Sequence, residues 1–382
     1  MSHVSTHWET WIGVTALVVA LSALVVALVV YLQARRAGRL MGRPARRYGT
    51  GLGPREQEAP GERLVAFVAN PSKPGVPELR ETLVDACLDA ALPEPLWYET
   101  TVEDPGRGQA RDALAAGADV VVAVGGDGTV RAVAETMAGT GRAMGILPRG
   151  TGNLLARNLD ISTTSLDDGL ATLLSGHDRH VDVGRLRVDE FAEEPEPGSE
   201  GARDVDHLFL VIAGLGFDAA MVADADPALK SRVGWMAYFF AGVRHLHGRR
   251  TRLRIEIDDA PAVDTRVRSL MVGNCGLLPG GITLIPDAVI DDGRLDVVAI
   301  DARAGLVGWA QVFGEVVMQG IGVSSDNLPG RAGRIDTSPA RRVVVEVEGG
   351  AGEHVQVDGD LLGRARRVTA WVEPGALVVR SA

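Results

Sequence analysis

Lysine is almost missing from this chain of 382 residues: only Lys73 and Lys230 occur, and arginine carries the positive charge. Acids outnumber bases, 50 against 39, for a net charge of −11. That balance excludes a general nucleic-acid surface, and no nucleic-acid partner is expected. Cysteine is as scarce. Cys87 and Cys275 lie far apart without metal-ligand spacing, which excludes a disulfide framework and fits a reduced intracellular compartment. Neither G-x-x-x-x-G-K-[ST] nor a G-x-G-x-x-G following a strand occurs, so the Walker and dinucleotide motifs are excluded as well.

Charge is also locally absent. Trp11 to Leu32, "WIGVTALVVALSALVVALVVYL", holds no charged residue, and as a helix it would span roughly 33 Å, enough for a bilayer core. Trp8, Trp11 and Tyr31 mark its ends, and Arg35, Arg36, Arg39, Arg43, Arg46 and Arg47 follow with no acid among them. The pattern predicts a single-pass membrane anchor with the arginine side, and hence the rest of the chain, in the cytoplasm. A cleaved signal peptide would carry its positive charge before a shorter apolar run.

What is present after residue 62 alternates. "RLVAFVAN", "PLWYETT", "DVVVAV" and "RAMGILP" read as strands. Helical stretches lie between them, from about Pro77, over 109–117, over 130–138, and from "GTGN" onward. Continuously apolar strands alternating with helices predict a parallel sheet covered on both faces. After about residue 180 short, partly alternating runs take over, from "HVDVGRLRV" to "RRVTAWV". These predict a mostly β second domain with helical interruptions near 227–247 and 304–322. The expected organisation is a tail over 1–10, the anchor over 11–32, a basic linker over 33–62, an α/β domain over 63–180 and a mostly β domain over 181–382.

The polar tips of the α/β half, "NPSKPG", "ETT", "GGDGT" and "PRGTGN", all fall at strand carboxyl ends, where ligands bind on such sheets. Gly125, Gly126 and Gly128 let an anion approach the main chain. Thr129 is expected to open a helix whose N–H groups favour phosphate. Asp127 among them would repel phosphate unless a cation lies between, which points to Mg²⁺. Gly150, Thr151 and Asn153 repeat the device at the next strand end, with Arg149 adding charge. "VGWMAYFFAGV" at 233–243 reads as core or domain interface, with a seat for acyl chains as the alternative; His245 and His247 read as surface residues, and Asp218, after a glycine turn, as a residue of the cleft.

In order along the chain, "NPSKPG", "GGDGT", "GTGNLLAR", "AGLGFDA", "GNCGLLPGG…PDAVIDDGRLDV" and "VDGD" resemble the diacylglycerol kinase catalytic domain family, which includes bacterial diacylglycerol kinases and the sphingosine and ceramide kinases. The resemblance covers about residues 63–380. It implies a phosphofructokinase-like nucleotide site in which ATP is lined by Asn70, Pro71, Ser72, Lys73, Thr100, Thr101, Gly125, Gly126, Asp127, Gly128, Thr129, Val130, Gly150, Thr151 and Asn153. Asp127 would join a Mg²⁺–water network. Val289, Asp292 and Arg294 would form a structural metal loop, with Asp292 supplying the carboxylate. Asp360 in "VDGD" falls where the family carries its general base, and Asp358 would orient it or line the cleft.

These readings converge on a membrane-anchored, ATP- and Mg²⁺-dependent kinase acting on a hydroxyl of diacylglycerol or a sphingoid or ceramide-type lipid. A homodimer is left open. Two alternatives stand beside it. One is an NAD kinase-like small-metabolite kinase sharing "GGDGT". The other is an inactive, membrane-tethered nucleotide- or lipid-binding module, motivated by Leu154, where the family often carries an acid, and by Asp360, where it usually carries Glu.

Overall fold

The computed structural model describes residues 63–193, 205–216, 250–278, 282–302 and 333–382. The expected anchor, the basic linker, both helical interruptions, Asp218, the aromatic stretch 233–243, His245 and His247 lie outside the described residues. Among the described residues no helix is long and apolar enough to cross a membrane.

The first half runs β1 (Val65–Ala69), α1 (Leu79–Asp89), β2 (Leu96–Glu99), α2 (Arg107–Ala115), β3 (Val120–Gly125), α3 (Asp127–Met137), β4 (Ala143–Pro148), α4 (Leu154–Asn158) and α5 (Leu166–Ser175). Its strands pair in parallel in the order β2-β1-β3-β4. Every residue of β1, β3 and β4 is buried, because helices cover both faces. Val65, Phe67 and Ala69 pack toward Leu83, Cys87 and Leu173 on one side. Ala66 and Val68 pack toward Ala110, Ala113, Val133 and Met137 on the other. Alternate residues of a strand point to opposite faces, so a run with apolar side chains at every position is what a doubly covered sheet requires. Burying Phe67 completely contributes about 1.5–3 kcal/mol.

One local expectation needs correction, and one helix went unpredicted. Helix α3 begins at Asp127 with Gly126 as its N-cap, not at Thr129, so the acid of "GGDGT" stands in the first helical turn. Helix α5 was not foreseen. Ser165 caps it by accepting from the Asp168 N–H, and Asp167 and Asp168 occupy its first turn, the residue types that satisfy and complement a helix start. It lies so close to β4 that a β-carbon on Gly145 would stand 2.6 Å from Leu173.

The second half contains β5 (His177–Phe191), β6 (Asp206–Phe209), β7 (Ile212–Gly216), β8 (Thr251–Ile257), β9 (Val263–Val267), β10 (Ser269–Gly273), β11 (Leu277–Leu278), β12 (Ile282–Thr283), β13 (Leu295–Ala302), β14 (Gly333–Ala340), β15 (Arg342–Val347), β16 (Glu353–Val357) and β17 (Asp360–Ser381). Strand β17 is the seam of the molecule. It runs antiparallel to β5 from Ala365↔Phe191 to Ser381↔His177, then pairs in parallel with β4 at Val378↔Ala143 and Val379↔Met144. One sheet therefore passes through both halves, in the path β14-β13-β10-β7-β16-β17-β4-β3-β1-β2. The last residues of the chain belong to the α/β sheet even though the sequence groups them with the β half.

Candidate active site

The parallel order changes direction between β1 and β3, and the crevice beyond their carboxyl ends is where doubly wound sheets bind ligands. The loops there continue the strand ladder. Asn70 N–H donates to the Val124 carbonyl, Thr100 N–H to Ala69 and Arg149 N–H to Gly125. Asn70 organises the first loop: its Oδ1 accepts from the Ser72 N–H at 3.0 Å and the Ser72 hydroxyl at 2.7 Å. Its Nδ2 donates to the Thr129 hydroxyl at 3.3 Å, joining this loop to α3. Thr100 is buried, while Thr101 is exposed and its hydroxyl accepts from the Asp104 N–H. Pro71 and Thr151 are exposed at the rim and Val130 is buried inside α3.

The two glycine turns clasp each other. A β-carbon on Gly126 would come within 3.2 Å of the Gly150 α-carbon and 3.6 Å of Lys73 Cε, and one on Gly150 within 2.7 Å of the Gly126 α-carbon. Gly125 is needed for packing, since a β-carbon there would lie 2.7 Å from the Thr129 side chain. Gly128 differs: nothing lies within 4 Å of the β-carbon position, so its exposed face opens onto free space. Asp127 fastens the clasp, its two oxygens accepting from the Asn153 N–H at 2.9 Å and the Leu154 N–H at 2.6 Å. Asn153 in turn closes on Gly150, accepting from its N–H and donating to its carbonyl. It holds φ 49°, a left-handed conformation asparagine tolerates better than most residues. Leu154 thus contributes its main chain to the acid of the neighbouring turn.

Across the seam, Asp358 and Gly359 form a two-residue hairpin between β16 and β17 with φ 45° and 87°, the positive angles for which Asp-Gly is favoured. The turn parts the two acids. The Asp358 carboxylate faces inward and accepts from Leu210, Val211 and Ile212 N–H at 2.7, 3.0 and 3.0 Å. Burial pushes its pKa up, while Arg131 and the three N–H donors pull the other way. It anchors the β6–β7 turn, which is where the structure places the acid expected to orient Asp360 or line the cleft. Asp360 is ion-paired with Arg131, whose Nη1 also donates to the Val357 carbonyl at 3.1 Å. Arg131 sits on α3 one turn beyond Asp127 and is buried. Sequence reasoning passed over it. Its only signal was an arginine set among the apolar residues Val130, Ala132 and Val133.

The acidic loop before β13 has another character. Asp291 pairs with Arg179 at 2.8 Å, and Asp292 Oδ1 accepts from the Arg294 N–H. Buried Asp182 accepts from Gly293 and Gly375 N–H. Burial first, and the neighbouring carboxylates second, raise the pKa of Asp296, with Asp292 and Asp287 as the neighbours. Asp182 is raised likewise, by burial and by Asp292 and Asp291. Val289 is exposed. Among the described residues no three His, Cys, Asp or Glu side chains converge as a metal cage, so a cation here would lean on main-chain carbonyls beside Asp292.

The diacylglycerol kinase catalytic domain matches residues 66–186, and a YegS C-terminal, NAD kinase beta sandwich-like domain matches 211–381. A "Probable lipid kinase YegS-like" of Pseudomonas aeruginosa is 33% identical over 276 residues, 70% of this chain and 78% of that protein. The chain belongs to the diacylglycerol kinase catalytic domain family of lipid kinases. A "Diacylglycerol kinase" of Mycobacterium tuberculosis is 28% identical over 65% of this chain and 72% of its own length. The chain spans about half, 51%, of a further relative, an uncharacterized Synechocystis protein at 30% identity. The crystal structure of a diacylglycerol kinase from Bacillus anthracis shares the fold, with a TM-score of 0.58 at 20% identity over 84% of this chain and 97% of that one. Within this lipid-kinase fold, the clasped turns and the hairpin acid come from opposite sides of the seam and meet on α3.

Proposed function

We propose that the chain is an ATP- and Mg²⁺-dependent lipid kinase that phosphorylates a hydroxyl of diacylglycerol, or of a sphingoid or ceramide-type lipid, at the cytosolic membrane face. The observation that carries this reading is that Asp360, a carboxylate from the β half, is held one helical turn beyond the phosphate-type turn of α3. The first-turn N–H groups of α3 have no intrahelical partner and would take the phosphates. Lys73, beside Gly126, would add a point charge. Asn70, Ser72, Thr100, Thr101, Val130 and Thr151 would shape the remaining walls.

Mg²⁺ fits as a companion of the triphosphate. Each Asp127 oxygen accepts one main-chain N–H and keeps further acceptor capacity, and magnesium favours one or two carboxylates plus substrate phosphates. When bound, the ion would offset the charge of the transferring group. Asp360 would accept the proton of the lipid hydroxyl as that oxygen bonds to the γ-phosphorus and ADP departs. At the acidic loop we place a structural cation on Asp292 and the carbonyls of Val289 and Arg294. Its support is the crowding of carboxylates that raises Asp182 and Asp296. Residues 11–32 would tether the site to the surface that holds its substrate, raising the effective concentration of lipid.

The test is the full chain in detergent with γ-labelled ATP, Mg²⁺ and a panel of diacylglycerol, sphingosine, ceramide and NAD. Label on a lipid is the expected result. Label on NAD would replace the reading with a small-metabolite kinase, and nucleotide binding without transfer to any acceptor would replace it with a tethered binding module.

A further inference from the structure

A charged arginine inside the helix that opens at the phosphate turn demands a physical reason, because guanidinium is not buried without acceptors. Arg131 is 7% exposed. Its two terminal nitrogens divide between the Val357 carbonyl, the last residue of β16, and the Asp360 carboxylate, the first residue of β17. They therefore grip both ends of the Asp358–Gly359 turn. The same guanidinium is near enough to Asp358 to act on its charge. The hairpin is braced independently: Asp358 holds the 210–212 main chain, and the Gly359 N–H donates to buried Gln356. Arg131 is thus not required to form the turn. What it fixes is where one side chain points.

We propose that Arg131 is the positioning residue of the transfer step. It turns Oδ2 of Asp360 toward itself, leaves Oδ1 for the substrate hydroxyl, and fixes that oxygen relative to Asp127 one helical turn away. This rests on Asp360 as the base. A guanidinium does this where an ammonium would not, since two donors in a rigid fork meet the carbonyl and the carboxylate together. Because Arg131 and Asp127 share a rigid helix, the base and the phosphate turn move as one body.

The experiment measures kcat and KM for ATP and for lipid in the full chain, with melting temperature as the fold control. Four variants are compared: Arg131→Gln, Arg131→Lys, Asp360→Asn and the double variant Arg131→Gln/Asp360→Asn. Arg131→Gln should lower kcat on the order of 10²-fold, the scale of an ångström-sized misplacement, with KM for ATP within a few-fold of the parent. Arg131→Lys should recover only part of the loss. The double variant should turn over no more slowly than Asp360→Asn alone, as for residues that act as a unit. Guanidinium ion at millimolar concentration should restore part of the turnover of Arg131→Gln and none of that of Asp360→Asn. Should Arg131→Gln not fold, Arg131→Lys, alone and combined with Asp360→Asn, is scored in its place by the same kcat and non-additivity criteria. The inference is overturned if Asp360→Asn is inactive while folded Arg131 variants keep parental kcat, or if the two losses multiply. If Asp360→Asn itself keeps parental turnover, the base assignment falls first and this inference with it.

Discussion

The phosphate-type turns and the loop before β13 both combine glycine with aspartate, yet they handle negative charge in opposite ways. At the turns a single acid, Asp127, is met by two main-chain N–H groups, and Lys73 stands beside Gly126. Its charge is balanced by the protein, so the α3 N-terminus beside it stays available to an anion. In the loop, burial first and the carboxylates of Asp287, Asp291 and Asp292 second raise the proton affinity of Asp182 and Asp296, with Arg179 as the counter-charge in contact with Asp291. The lesson is that "acid in a glycine turn" carries no single meaning. Both places supply main-chain N–H donors, two to Asp127 and two to Asp182, so the number of carboxylates crowded around those donors sets how much charge is left uncompensated.

The sharpest way to break the comparison is Gly126→Val. The side chain would be driven against the Gly150 main chain, 3.2 Å from its β-carbon, and would part the two turns. Turnover should fall beyond 10²-fold, the scale of misplacing reacting groups, with the melting temperature lowered as well. Parental kinetics would show that the turns need not touch.

Next in size is Asp127→Asn. An amide keeps one acceptor oxygen but presents an NH₂ to the second main-chain N–H, losing a charge-assisted bond at a cost of about 1.5–3 kcal/mol. The expected outcome is lower stability together with a large loss of kcat. A loss of kcat with unchanged melting would mean that the carboxylate serves the phosphates alone and the bonds to Asn153 and Leu154 carry little.

Gly128→Ala separates packing from ligand. The space beside Gly128 is open, so alanine should leave the melting temperature unchanged or slightly raised, as expected for glycine replaced inside a helix. If phosphate approaches that face, KM for ATP rises several-fold while lipid KM holds. An unchanged KM would place the nucleotide elsewhere.

These contrasts also explain what could be read in advance. Strands β1, β3 and β4 and the tips after them were legible because unbroken apolar runs and glycine turns are local signals. The hairpin carries a local signal too, since Asp-Gly between alternating strands encodes its own turn. The direction of Asp358 was not: its three partners lie about 150 residues away, at 210–212. Arg131 was invisible for the same reason, its partner being 229 residues distant. The end of β17 read as part of the β half because its composition is alternating and apolar. Only the parallel pairing of Val378 and Val379 with β4 assigns it to the other sheet region, and pairing of distant strands leaves no mark on local periodicity.

The smallest effect tests the acidic loop. Asp296 and Asp182 have folded-state pKa values raised above the ordinary carboxylate value, so each binds its proton more tightly in the folded chain than in the unfolded one. Their contribution to stability is therefore most favourable below the unfolded pKa. It declines as pH climbs from there through the raised folded value, and is a constant penalty above it. A divalent cation on the loop would reverse that by favouring the ionised forms. Asp296→Asn removes one of the crowded charges at nearly constant shape. In chelator at neutral pH it should raise the melting temperature by about 1–3 °C, the scale of roughly 1 kcal/mol or less in a chain of this size. With millimolar Mg²⁺ or Ca²⁺ the parent should gain more than the variant, and the difference should shrink or change sign. An equal advantage in both buffers would mean that no cation relieves the loop, and that Asp292 and its carbonyl neighbours are held by the protein alone.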